Sequence, residues 1–243
     1  MPNLTLVIGF LKISPFLLSL LASFAVSPFL FWRNLKDEYK EEEIFNLIIL
    51  AILLSIFTSR LFYVIENFAR FNFSLNQWIF LNHGHNFSFS GAFLGVALTI
   101  YWQTKKNKKN PWEALDAMIL PFFCFSFLSS FGLFLSSFNY VNLFYVLISF
   151  LLIIIFPEIK KRYRSLSWYK SGKTGFLFTV FSGGAFLLCF LFALALAFFK
   201  KSGIYLEHWI WLMFFLISLG LLYYRSERNF KDDFLGIFKR RKK

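Results

Sequence analysis

Charge is scarce in this chain: only 16% of its 243 residues are Asp, Glu, Lys or Arg, against about 25% in soluble domains. With 58% hydrophobic residues and a mean hydropathy of +0.59, that shortage excludes a soluble globular domain. Cysteine is nearly absent. Cys124 and Cys189 both lie inside apolar runs, where a thiol behaves as a small hydrophobe, and they supply neither a disulfide framework nor a metal-ligand spacing. A glycine-rich phosphate loop, a nucleophile elbow and the HExxH signature are all missing, and no internal repeat is evident. Nothing in the sequence asks for a cofactor or a metal.

What is present is a series of apolar runs. A hydrocarbon core of about 30 Å takes roughly 17 to 25 helical residues to cross, and seven runs approach that length: 13–31, 44–64, 87–102, 114–135, 141–156, 175–199 and 208–224. The third and fifth are short. None shows the dyad alternation of barrel strands, so the expected fold is all-α, a polytopic integral membrane bundle of about seven transmembrane helices. Phe, at 38 residues, dominates the runs. An AT-rich genome produces that bias as readily as a selected chemistry does, and it carries no catalytic reading.

The net charge of +13 resides in the short connections, which is the pattern of membrane orientation rather than of nucleic-acid binding. Lys and Arg concentrate in 32–43, 103–112, 157–173 and after 224, while Lys12, Arg60, Arg70, Lys200 and Lys201 belong to the other side. The positive-inside rule then puts the N-terminus outside and the C-terminus in the cytoplasm, and an odd number of spans closes that assignment. Residues 1–228 read as one transmembrane domain and 229–243 as a cytoplasmic tail. In the tail Phe230, Phe234, Ile237 and Phe238 recur at helical spacing before five cations, which fits a basic amphipathic helix on an anionic leaflet or a disordered topology-setting tail. Ser23 and Ala25 are small enough for signal cleavage. However, no basic region precedes Lys12 and the apolar run continues to Phe31, so a retained first span is expected. Glu41, Glu42 and Glu43 suit the first turn of a helix, where negative charge meets the macrodipole.

Few residues are placed to carry chemistry. Arg60 falls near the outer end of the second run, and an intramembrane arginine marks a function unless it snorkels to the headgroups. Its planar fork suits a phosphodiester, so a phospholipid headgroup is the expected partner. Ser88, Ser90, Gly91, Ala92 and Gly95 open the third run on the same side, a stripe that admits a lipid or another helix close to the backbone. His83 and His85 precede it; imidazole is suited to taking a proton from a thiol, although loop histidines are often bystanders and two do not make a metal site. Residues 66–86 interleave aromatics with polar groups, as a lid or an interfacial anchor would. Asp116, three residues after Glu113, is expected to serve polar packing or helix-start electrostatics.

The run Ser88-Phe89-Ser90-Gly91-Ala92-Phe93-Leu94-Gly95 resembles the Ser-Phe-His-Gly-Gly-x-x-Gly segment of bacterial prolipoprotein diacylglyceryl transferases, with Ser90 at the histidine's place. Ser59-Arg60-Leu61-Phe62-Tyr63-Val64 is similar to that family's Gly-Arg-x-Gly-Tyr-Val. Asp116 with Pro121, Gly172 and the following Gly-Phe-Leu-Phe run also follow its order. The resemblance implies seven spans in the bacterial cytoplasmic membrane and transfer of a diacylglyceryl group from phosphatidylglycerol to the lipobox cysteine of a secreted prolipoprotein. It implies phospholipid binding by Arg60, Tyr63, Ser88 and Gly91, with His83, His85 or Ser90 in the catalytic role.

The departures from the family concentrate where it keeps its chemistry. The window 129–139, where a Gly-Arg-x-Gly-Asn-Phe-x-Asn-Gly-Glu motif belongs, holds no arginine or glutamate. Phe186 and Phe190 stand near the positions of a sixth-span arginine and its acidic partner, and the first-span tyrosine expected at 14–16 is missing. A degenerate active site is therefore expected, and whether the chain is an enzyme stays open. In one version Arg60 holds the phosphate while a loop histidine acts as base. In the other, the bundle is a catalytically inactive lipid-binding homologue. A small-solute transporter or channel subunit is the alternative of a different class, disfavoured by the lack of further deep ionisable residues or an inverted repeat.

Overall fold

In lipid a backbone must satisfy its own hydrogen bonds, so long apolar runs become helices, and side chains at their ends decide where each begins. The computed structural model describes residues 6–8, 11–68, 87–169, 171–200, 203 and 205–228. The first helix, α1 (Pro15–Leu35), starts where Ser14 Oγ accepts from the Leu17 N–H at 3.2 Å and Pro15 takes the first position. Ile13, expected to open that span, instead closes a short strand, β2 (Leu11–Ile13), paired antiparallel with β1 (Leu6–Ile8). The Ser14-Pro15 start moves the boundary.

Helix α2 (Glu41–Glu66) has its three glutamates in the first turn, and Glu43 accepts from the Lys40 N–H at 3.3 Å. Then follow α3 (Phe89–Lys106), α4 (Pro111–Ser137), α5 (Tyr140–Arg162), α6 (Phe176–Lys200) and α7 (Leu206–Arg225). Asn110 and Asn139 cap α4 and α5 by accepting from Trp112 N–H and Val141 N–H, at 3.2 and 2.9 Å. Six of these helices are long and apolar enough to cross a membrane; α3, at 18 residues with a Gln-Thr-Lys-Lys end, is the one that is not. Apart from the short β1–β2 strand pair the regular structure of the described residues is helical, and the chain is a polytopic membrane protein. Its outward face carries exposed side chains such as Leu53, Phe57, Ile154 and Phe198, as a lipid-facing surface should.

Helix α4 is the central element, packed against α1, α3, α5 and α6, while α2 pairs with α3 and α6 with α7. The charge-rich links gather at one end. Lys109 Nζ donates to the Glu38 carbonyl at 2.8 Å, Asn110 Nδ2 to Thr174 Oγ1 at 3.1 Å, and Arg225 Nε to the Thr174 carbonyl at 3.0 Å. Lys173 pairs with Glu227, and the Arg225 guanidinium lies 4.9 Å over the Trp112 ring. The tail 229–243 lies outside the described residues.

At this end Asp116 caps a helix other than its own. Its Oδ2 accepts from the Gly175 N–H and its Oδ1 from the Phe178 N–H, both at 2.7 Å, so a buried carboxylate on α4 holds the start of α6. Gly175 is required there: its φ is +100°, and a Cβ would stand 2.7 Å from Trp112 Cε3. The expectation of helix-start electrostatics for Asp116 thus applies to α6. Asp116→Ala strands two buried N–H groups and is expected to lower stability by about 1–3 kcal/mol, read as a lower Tm in detergent micelles. An unchanged Tm would show that the clamp is dispensable.

Candidate functional site

The other end of the bundle is organised by a seam between α2 and α3. Ser88 caps α3 with its Oγ, which accepts from the Gly91 N–H at 3.3 Å, and its own N–H donates to the Ser59 carbonyl at 3.0 Å. Thr58 Oγ1 donates to the Gly91 carbonyl at 2.8 Å. The helices approach so closely that a Cβ at Gly91 would lie 2.6 Å from the Thr58 carbonyl oxygen, and one at Gly95 would lie 2.1 Å from Thr58 Oγ1. What the small-residue stripe admits is therefore α2.

This seam brings together a triad. Glu66, the last residue of α2, accepts through one oxygen, Oε1, from Ser88 Oγ at 2.7 Å and from Ser90 Oγ at 2.9 Å; the two hydroxyls are themselves 2.7 Å apart. Both serines are buried and Glu66 is half-buried. Two hydroxyl protons serve three oxygen–oxygen contacts, so the triad can take one further proton without breaking any of them.

Helical geometry explains which α2 residue arrives. Ser55, Ser59, Phe62 and Glu66 recur at spacings of three and four, which is one face, and that face meets α3. Arg60 is turned by about 100° from Ser59. It is half-buried, with its guanidinium 5.7 Å over the ring of Tyr63. The predicted site residues thus divide: Arg60 and Tyr63 sit together, while Ser88, Ser90 and Gly91 sit with Glu66. His83 and His85, with residues 69–86 of the proposed lid, lie outside the described residues.

A second carboxylate stands nearby. Glu207, in the first turn of α7, is half-buried and within electrostatic range of Glu66. Beside it His208 Nδ1 accepts from the Tyr205 N–H at 3.0 Å, and the buried Trp211 indole N–H has no partner among the described residues. Neither Glu66 nor Glu207 was singled out from the sequence. The available signal for Glu66 was a carboxylate ending an apolar run, but its partners lie 22 and 24 residues further on.

Between the two ends the bundle is filled with rings. Phe186 lies 4.9 Å from Phe214, 5.3 Å from Phe93 and 6.0 Å from Phe89, centroid to centroid. Phe89 reaches Tyr145 at 5.8 Å, Phe93 reaches Phe122 at 5.2 Å, and Phe214 reaches Phe62 at 6.4 Å. The window 129–139 covers the last turns of α4, where a Cβ on Gly132 would meet Ser19 of α1, then left-handed Phe138 and the Asn139 cap of α5. Among the described residues no group of three His, Cys, Asp or Glu side chains could hold a metal ion.

Comparison with known proteins bears on this arrangement. The family model described as prolipoprotein diacylglyceryl transferase matches residues 3–227, most of the chain. No curated protein matches it.

The seam yields two expected outcomes. Gly95→Ala should cost about 1–3 kcal/mol by forcing α2 and α3 apart. Gly184→Ala, where nothing lies within 4 Å, should be neutral or stabilising; equal Tm values for the two variants would refute the close approach. Glu66→Ala leaves two buried hydroxyls short of an acceptor and should lower stability by about 1–3 kcal/mol. In a double-mutant cycle with Ser90→Ala the losses should be non-additive. Strict additivity would mean that the carboxylate does not hold Ser90.

Proposed function

Because the chain belongs to the prolipoprotein diacylglyceryl transferase family, we propose that it is a phospholipid-binding member whose transfer chemistry is lost or strongly slowed. A diacylglyceryl transferase-like function follows from the family; the loss is inferred from the site. The family reaction forms a bond from a cysteine sulfur to a glycerol carbon and breaks that carbon's bond to the phosphate oxygen. The thiol proton must go to a base, and the departing phosphate needs positive charge beside it.

The packing of Phe186 supports the inference most directly. It lies within the ring cluster of Phe89, Phe93 and Phe214, close to where the resemblance implies a cation. Rings of this kind offer bulk and a weak quadrupole, but no charge to stabilise a leaving phosphate. Glu66 at the seam, and Glu207 within electrostatic range of it, are carboxyl groups and supply no cation either. Ser90, at the histidine's place, donates to Glu66 and is fully buried.

Arg60 with Tyr63 remains suited to a headgroup phosphate, since guanidinium keeps its charge and its two-pronged geometry. In this reading phosphatidylglycerol is bound from the outer leaflet of a bacterial cytoplasmic membrane, with the basic end of the bundle in the cytoplasm. A secreted prolipoprotein is then a binding partner rather than a substrate that turns over.

Membranes containing the protein, incubated with labelled phosphatidylglycerol and a lipobox peptide, should transfer no label above vector membranes. Ser90→His alone should not raise that level, because the aromatic centre stays in place. Arg60→Ala should reduce phosphatidylglycerol retained by the purified protein by about tenfold, the loss expected for one charge-assisted contact. Label transfer by the native chain that disappears in Arg60→Ala would overturn the reading.

A further inference from the structure

At the basic end, remote from the seam, a cleft of about 410 Å³ opens between the end of α1, the start of α4, the end of α5 and the start of α6. Its volume is near the small end of ligand sites, which start at about 300 Å³, enough for a headgroup but not for acyl chains. The floor is apolar, formed by Leu35, Ala117, Phe156 and Leu177, with Asp116 beneath it already committed to the α6 N–H groups. The walls differ in sign. Glu38 and Glu113 stand on the α1 and α4 side, while Lys160, Lys161 and Arg164 come from the end of α5 and the turn that follows it.

No salt bridge joins the two walls. Among the described residues the salt bridges are Arg162 with Glu158 and Lys173 with Glu227, so none of the six charged side chains lining the cleft forms a salt bridge across it, and Arg164 attracts Glu113 only at longer range. Glu38 and Glu113 also repel one another: burial, followed by the nearby Glu113 carboxylate, holds the Glu38 carboxyl above the usual carboxylate range. A cation beside them would relieve that repulsion, and an anion carried on the same molecule would meet the opposite wall. One molecule carrying both charges satisfies both walls.

We infer that this cleft binds an ammonium-bearing phosphodiester, with the ammonium beside Glu38 and Glu113 and the phosphate against Lys160, Lys161 and Arg164. The cleft lies where the helices end, the level at which headgroups sit, so a zwitterionic phospholipid of that leaflet is one source and its water-soluble deacylated form is another. Discrimination against phosphatidylglycerol comes from the acidic wall, because a glycerol headgroup has no cation to place there and leaves the repulsion in force. The inference is independent of the seam, and its failure would leave the transferase-family reading untouched.

The test uses the full chain, purified and reconstituted in nanodiscs made with phosphatidylethanolamine or with phosphatidylglycerol of the same acyl chains, with retained lipid measured by native mass spectrometry. Phosphatidylethanolamine should be retained preferentially. Glu38→Gln with Glu113→Gln should reduce its retention about tenfold and leave phosphatidylglycerol unaffected, whereas Lys160→Gln with Arg164→Gln should reduce both. Should either double variant lose its native Tm, the exposed single variant Glu38→Gln keeps the comparison and is expected to weaken phosphatidylethanolamine selectively. Soluble glycerophosphoethanolamine, but not glycerophosphoglycerol, should displace the retained lipid. Binding of that soluble compound without retained lipid would support the same chemistry from the soluble source. Equal retention of the two lipids, indifferent to both walls and to the soluble competitor, would overturn the inference.

Discussion

The distance between two backbones, those of α2 and α3, controls most of what the seam end of this bundle can do. Gly91 and Gly95 remove the side chains that would hold the helices apart, and the Thr58 and Ser88 hydrogen bonds then cross directly from one helix to the other. In lipid such proximity is the main source of association, because an apolar side chain gains nothing by leaving the tails for a neighbouring helix. Once the register is set by Ser59 and Ser88, Glu66 arrives two turns later on the same face. A wider seam would leave that carboxylate without its hydroxyls.

The bundle holds two such carboxylates at opposite ends, with different environments. Asp116 accepts from two backbone N–H groups at the start of α6, where both the hydrogen bonds and the helix dipole favour negative charge. Glu66 accepts from two neutral hydroxyls, with a second carboxylate in range. The first arrangement is a fixed structural joint, and the geometry gives it no spare capacity. The second is a small network with a vacant proton position, which is the kind of site that answers to its surroundings.

The helices were largely legible in the sequence because apolar runs of the right length have few alternatives in a membrane. Expected and observed boundaries differ by only a few residues at most ends; the larger displacement, at α5, comes from its basic last turn continuing to Arg162. Asp116 was legible as a helix-start group but not as the cap of a distant helix, since the partner N–H groups lie 59 and 62 positions away. The site was less legible. Arg60 stands out because its charge is costly to place, whereas Glu66 ends an apolar run and borders a stretch of mixed polar and aromatic residues. Ser88 and Ser90 carried a motif, but nothing local says whether a hydroxyl meets a guanidinium or a carboxylate. That is settled by helix rotation, where one residue shifts the direction by about 100°.

The ring-filled centre has a consequence for the history open to this chain. A cation introduced at position 186 would be surrounded by Phe89, Phe93 and Phe214 with no counter-ion among those rings, and an unpaired buried charge is penalised by several kcal/mol. Shrinking a neighbour first would open a cavity, which is also destabilising. Each single step toward a polar centre is therefore disfavoured before the next can compensate, whereas exchanges among large apolar side chains are nearly neutral. Such packing acts as a ratchet: descendants can drift widely in which rings they use and still be held away from a charged interior.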